Sequence, residues 1–404
     1  MSDHDSLLRA WAGHLRAGGT TPWRAFSAAD TTATPAPDSV AVTAGAAQLE
    51  VVRRLAQRRD SHAVAPEVFA TLADRVLATS GPGRGLPQLP VVRQSPVEIA
   101  SGRGAVRVGP PPADPARVPA EELVRVLTGV LPALLAEAPT PSSDPARPRD
   151  PRRWARLRRP TARFRLAGPP QAVAVVRAAL VAAGAREGGR WAPVLVLGLP
   201  LEEMLAQAWS LRVQRGSATR WFRFWSRWAG DRLPVSVDLP GLATHHAAAG
   251  SRVHVLLAAS CGQLVPTATA ALGLPARPAP ADLPGLDAAA VDLLRRTNRV
   301  AGVTTPADER LGLATTAAAH LRRPGSTVRL RVPEQFRGAA AGRSARVATD
   351  LTAGAARGTY AVSGDLDVLG VVDEDLPQTP DPAVVLDRAL DLTLALVTGT
   401  EEER

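Results

Sequence analysis

The chain has 404 residues and a formal net charge of +10, with 45% hydrophobic and 21% charged residues. This balance excludes a disordered chain and fits one large or two ordinary soluble domains. All 48 basic residues are Arg, and the single cysteine, Cys261, excludes an internal disulfide and a Cys-based zinc site.

The N-terminus "MSDHDSLLRAW" has early acids and lacks the apolar core of a signal peptide. No apolar run approaches the roughly 20 residues that span a bilayer, so the expected location is the cytoplasm and no transmembrane segment is expected. Residues 5–17 read as an amphipathic helix, with Leu8, Trp11 and Leu15 on one face and Gly18-Gly19 ending it. Further helices are expected near 44–58, 66–78 and 119–138, the last with acids in its first turn, as the helix dipole favours. Between the third and fourth lie "TSGPGRGLPQLP" and "VGPPPADPARVP", loops by composition, around a weak extended stretch.

Residues 139–153, "PTPSSDPARPRDPRR", read as a linker. Past them the texture changes. Strands are expected at 163–168, 192–200 and 251–258, with helices after the first two. Helices near 287–299 and 306–322 follow, then strands in "TVRLRVP" and "YAVSGDLDVL". Buried strands alternating with helices imply an α/β fold with a mostly parallel sheet flanked by helices. The expected organisation is a mainly helical unit over 1–138, a Pro/Arg-rich linker over 139–153, and an α/β domain over 154–404.

The chain repeats itself. "AWAGHLRAGGTTPWRAF" (10–26) aligns without gaps to "AWSLRVQRGSATRWFRF" (208–224). Ala10, Trp11, Gly18, Thr21, Trp23 and Phe26 match Ala208, Trp209, Gly216, Thr219, Trp221 and Phe224. In the same order, "AAQLEVVRRL" (46–55) resembles "AAAVDLLRRT" (288–297), each with an acid before two aliphatics and paired arginines. The N-terminal unit therefore reads as a truncated copy of the later one; two unrelated amphipathic helices are the alternative.

Residues 160–370 resemble actinobacterial sulfotransferase-like proteins of the P-loop sulfotransferase superfamily. The likeness rests on the order of "RFRLAGPPQAVAVVRAAL", the helix bearing "AWSLRV", "DLPGLATHHAAAGSRVHVLLA", "LDAAAVDLLRRTNR" and "YAVSGDLDVL". The resemblance implies a phosphate cradle of the pattern Gly-x-Pro-Lys-x-Gly-Thr for the 5′-phosphosulfate. Here it is degenerate. Gly168 and Pro170 remain, but Gln171 stands at the Lys position, Val173 at the second Gly and Ala174 at the Thr. The resemblance also implies an Arg ending the next strand and a Ser in the following helix for the 3′-phosphate, where this chain has Leu199 and Pro200, followed by Glu202 and Glu203.

The leading expectation is thus a diverged, non-catalytic member of that fold, acting through binding or assembly and without a cofactor. One alternative is an active transferase on a carbohydrate or other hydroxyl acceptor, using 3′-phosphoadenosine 5′-phosphosulfate. Another is Arg-mediated binding of a polyanion or nucleic acid through Arg152, Arg153, Arg156, Arg158 and Arg159. His245 and His246 are the catalytic candidates, as general bases toward a hydroxyl, against a reading as surface histidines. Asp365 and Asp367 form a D-x-D pattern, read as a chance match, and no metal site is expected. Cys261 reads as a buried, inert thiol. In "RWFRFWSRW", the i, i+4, i+7 spacing of Trp221, Trp225 and Trp228 reads as the core face of a helix rather than a base-stacking platform.

Overall fold

The computed structural model describes residues 3–28, 45–79, 113–138, 162–228, 232–275, 283–371 and 376–399. The first described helices are α1 (Asp3–Arg16), α2 (Trp23–Ala28), α3 (Ala46–Arg58), α4 (Pro66–Ala78) and α5 (Ala120–Glu137). Strands and helices then alternate through β1 (Arg163–Ala167), α6 (Pro170–Ala182), β2 (Arg186–Glu187), β3 (Val194–Gly198), α7 (Leu201–Gln214), α8 (Trp221–Trp228), α9 (Leu239–Ala248), β4 (Val253–Leu257) and α10 (Cys261–Ala271). The remainder comprises β5 (Pro284–Gly285), α11 (Ala288–Thr304), α12 (Arg310–Leu321), β6 (Arg323–Pro324), α13 (Arg337–Ala356), β7 (Ala361–Ser363) and α14 (Pro382–Gly399).

The principal sheet is parallel throughout, in the order β2-β1-β3-β4-β7. The expected α/β class holds, with helices flanking the sheet. The central strand β3 is buried along its whole length. Its unbroken apolar run is what a strand covered on both faces requires. Helix α9 lies on β3 and β4, α13 packs on α9, and α6 packs on α10. Two-residue strands β5 and β6 pair antiparallel outside this sheet. The expected strand over "TVRLRVP" does not form. Val328, Leu330 and Val332 alternate inward and are buried, but among the described residues no strand pairs with them. The Arg331 N–H instead donates to the Pro377 carbonyl at 3.1 Å.

The chain divides into two compact units. One holds Met1–Pro141 with Arg296–Leu321 and Asp381–Arg404; the other holds Ser142–Arg295 with Arg322–Pro380. The expected boundaries differ from this, because 154–404 is not one block. Helix α5 buries Leu123, Leu127, Leu131 and Leu134, and both α12 and α14 pack against it. Helix α14 buries Val385, Leu386, Ala389, Leu390, Leu394 and Leu396, while Asp387 on its other side is exposed. No described helix is long and apolar enough to cross a membrane. The proposed linker lies outside the described residues, as do 80–90 of the first loop, 108–112 of the second and the extended stretch between them; the described end of the second loop, 113–119, holds a short turn at Pro115–Arg117.

Within each unit, the repeated phrase takes the same local form. The bounds of α7 and the start of α8 fall at the alignment offset of α1 and α2. Trp11 Nε1 donates to the Thr21 carbonyl at 2.9 Å, and Trp209 Nε1 to the Thr219 carbonyl at 2.8 Å. The Trp11–Trp23 rings lie 5.1 Å apart at 53°, and the Trp209–Trp221 rings 5.5 Å apart at 55°. Gly18 and Gly216 turn the chain with φ of 90° and 89°. The second echo matches as well. Buried Glu50 accepts from Arg53 Nε at 2.8 Å, and Asp292 accepts from Arg295 Nε at 2.7 Å.

Candidate functional site

A parallel sheet places ligands at the carboxyl ends of its strands, where the connecting loops converge. In this unit those loops follow β1, β3, β4 and β7. The turn from β1 into α6 needs Gly168: its φ is 133°, and a Cβ there would stand 2.6 Å from the Leu197 carbonyl oxygen. Pro170 opens α6, where a missing N–H costs nothing.

The first free amides of α6 are already engaged. Gln207, on α7 and 3% exposed, accepts from the Gln171 N–H at 3.1 Å and the Ala172 N–H at 3.2 Å through Oε1. Its Nε2 donates to Glu203 Oε1 at 3.3 Å and to Cys261 Sγ at 3.6 Å. Gln171, standing at the resemblance's Lys position, donates from Nε2 to the Ser326 carbonyl at 2.9 Å. The turn is thus filled by a protein carboxamide where a cradle would be open, and neutral amides occupy the place of a cation.

Beside it, a cavity of about 330 Å³ opens at the loops after β3, β4 and β7. Its lining includes Pro200, Glu202, Glu203, Ala259, Arg329 and Asp367, with apolar walls from Val328, Leu330, Val368 and Leu376. Glu202 and Glu203 sit in the first turn of α7, where the helix dipole favours carboxylates. Three carboxylates against one guanidinium give this cavity a negative lining.

Cys261, at the first position of α10, closes the network by donating to Glu203 Oε1 at 3.7 Å. Burial, reinforced by the Glu203 charge, pushes its thiol up to about 12. A protonated thiol is a poor nucleophile. Iodoacetamide at pH 8 is therefore expected to leave Cys261 unmodified in the native chain and to alkylate it in denaturant. Rapid labelling of the native chain would contradict this placement.

His245 and His246 lie elsewhere. Their rings stand 5.3 Å apart on the last turns of α9. The Ser251 N–H donates to the His246 carbonyl at 3.1 Å, just ahead of β4. That is the amino edge of the sheet, opposite Gly168 and the cavity. Burial, then the nearby His245 and Arg165 charges, hold His246 below the ordinary histidine range. That shift favours the neutral ring, and of the other sequence candidates only His245 stands beside it. Asp365 accepts from the Asp367 N–H at 2.9 Å, capping the turn after β7, and among the described residues no cluster of three His, Cys, Asp or Glu side chains could hold a metal. Arg152, Arg153, Arg156, Arg158 and Arg159 lie outside the described residues. On α8, Trp221 and Trp225 are buried as expected, Trp228 is only half-buried, and Phe224 completes the core face; Trp221 Nε1 donates to the Arg331 carbonyl at 3.0 Å. Packing rather than base stacking is what these rings do.

No protein-family model, curated protein or solved structure matches this chain.

Reading the sequence missed Gln207, the residue on which the site turns. One signal was available. Helix α7 follows a strand that is apolar throughout, so it has little solvent-facing surface. Its polar residues Glu202, Gln207 and Ser210 are accordingly buried, and buried polar groups need partners. Glu203 and Gln207, spaced i, i+4, share a face directed at the loop after β1.

Proposed function

We propose that the α/β unit is a diverged, non-catalytic sulfotransferase-like domain that works by binding rather than by sulfuryl transfer. The observation that carries this reading is Gln207 bonded to the Gln171 and Ala172 amides. A 5′-phosphosulfate would have to displace that carboxamide and would then meet Glu203, which Gln207 Nε2 contacts at 3.3 Å. No Lys offsets the charge, since Gln171 stands at that position and its side chain is tied to the Ser326 carbonyl. The adjacent cavity, lined by Glu202, Glu203 and Asp367, also carries the same negative sign as such a donor and would repel it. In this reading the cavity remains the ligand-facing part of the unit, while the N-terminal helical unit carries an abbreviated copy of the α7–α8 scaffold. The matched Trp–carbonyl bonds and ring angles support that second part.

The test is thermal unfolding of the full chain with 3′-phosphoadenosine 5′-phosphate. Ligand at a hundredfold excess over Kd stabilises by about 2.7 kcal/mol, so binding would be plain. We expect no rise in Tm at millimolar nucleotide. A saturable rise would show that the turn admits the nucleotide and would overturn the filled-cradle argument on which this reading rests.

A further inference from the structure

We propose that the outer end of the sheet, Trp191 with Arg163, Arg186 and Arg190, is a docking surface for single-stranded nucleic acid. Trp191 is 83% exposed, an unusual state for the side chain with the largest apolar area. It does not owe this to a loose backbone. The Arg186 N–H donates to the Ala162 carbonyl at 2.9 Å, the Gly188 N–H to the Phe164 carbonyl at 2.8 Å, and the Ala192 N–H to the Gly189 carbonyl at 3.2 Å. Gly188 and Gly189, with φ of 94° and 109°, make the reversal that projects the ring outward.

The surroundings are cationic. Arg190 holds its guanidinium 5.3 Å from the Trp191 ring centroid, over one face. Arg163 and Arg186 are register partners on β1 and β2, and the Arg163 side chain lies against Gly189. All three arginines are exposed. The one acid on β2, Glu187, is paired with Arg177 at 2.8 Å, and no carboxylate among the described residues pairs with Arg163, Arg186 or Arg190.

An aromatic face flanked by uncompensated guanidinium groups is the combination that stacks an unpaired base and holds its neighbouring phosphates. A duplex hides its base faces and offers this ring nothing to stack on. A bilayer calls for several apolar side chains together, whereas Trp191 is the one large apolar side chain exposed on the 186–193 turn. The surface is remote in character from the filled turn at Gly168 and does not depend on how that turn is read.

The experiment is fluorescence anisotropy of the full chain with labelled oligo(dT), a hairpin duplex, and phosphatidylcholine–phosphatidylserine vesicles as competitor. We expect oligo(dT) to bind more tightly than duplex. Trp191→Ala should weaken it about tenfold and Trp191→Phe far less. Replacing Arg163, Arg186 and Arg190 by Gln should lower the slope of log K against log salt by about 2. Trp191 is solvent-exposed, so its variants keep the fold, which circular dichroism verifies. The Trp191→Ala effect should persist when Arg152, Arg153, Arg156, Arg158 and Arg159 are replaced by Ser. The proposal is overturned if oligo(dT) does not bind at low salt, or if Trp191→Ala leaves its affinity unchanged. It is equally overturned if duplex binds as well, or if vesicles bind in a Trp191-dependent way while oligo(dT) does not.

Discussion

Replacing Trp11 or Trp209 by Ala is expected to destabilise the unit that holds it by about 3–5 kcal/mol. The two rings are 0% and 1% exposed, so each substitution leaves a large cavity in a packed core. Each ring also makes one hydrogen bond to a carbonyl ten residues on, at 2.9 and 2.8 Å, and leans on a second Trp. A Phe at either site keeps most of the volume but orphans that carbonyl, a loss of about 1 kcal/mol. Because the chain has two compact units, one transition midpoint would blur the result. Hydrogen exchange read by mass spectrometry separates them. Trp11→Ala should lower protection in α1 to α5, and Trp209→Ala in α6 to α10. A loss under about 1 kcal/mol at either site would mean that the matched geometry is not matched in energy, and would weaken the case for a shared scaffold.

Glu50→Ala is expected to cost a similar amount, about 3–5 kcal/mol. The Glu50 side chain is 2% exposed and the Arg53 side chain 12%. Glu50 also accepts from Arg54 Nε at 2.8 Å, so one carboxylate answers two guanidinium groups. The hydrogen bond to Glu50 raises Arg53 above its ordinary value, and removing the acid strands a charge that cannot be neutralised by losing a proton. Replacing Glu50 and Arg53 together by Leu should cost much less, since no charge stays buried. Added salt should change little, because a buried pair is poorly screened. Asp292→Ala should show the same pattern through Arg295, whose side chain is 7% exposed. Urea unfolding of the single and double variants checks this. If Glu50→Ala and the double Leu variant lose the same stability, the ion pair is not the source.

Much of the secondary structure was legible because it is written in local pattern. The 3.6-residue period marked α1, α3, α4 and α5, and Pro and Gly punctuated their ends. The apolar runs at 194–198 and 253–257 have few alternatives to a buried strand. Helix α13 was not legible. Its buried residues are Ala340, Ser344, Val347, Leu351 and Gly354, a correct helical stripe made largely of small side chains that carry little hydrophobic signal. Helix α14 also went unread, although Asp387, Arg388 and Asp391 mark a polar stripe at helical spacing beside its buried face.

The candidate site divides the same way. The sequence by itself determined that the loop after β1 lacks a Lys and a second Gly, because side-chain identity needs no coordinates. It determined the repeat as well, since Trp is rare and the spacing of Trp11 to Trp23 is copied in Trp209 to Trp221. Only the tertiary structure decided what fills the turn. Gln207 lies 36 residues from Gln171 along the chain, and no local rule connects them. It likewise separated His245 and His246 from the carboxyl edge, because the direction of β4 decides at which end of the sheet α9 delivers them. It also set Trp191 outside the core while Trp221 went in. Both are tryptophans beside arginines in sequence, and what distinguishes them is whether the fold has a surface to lay over the ring.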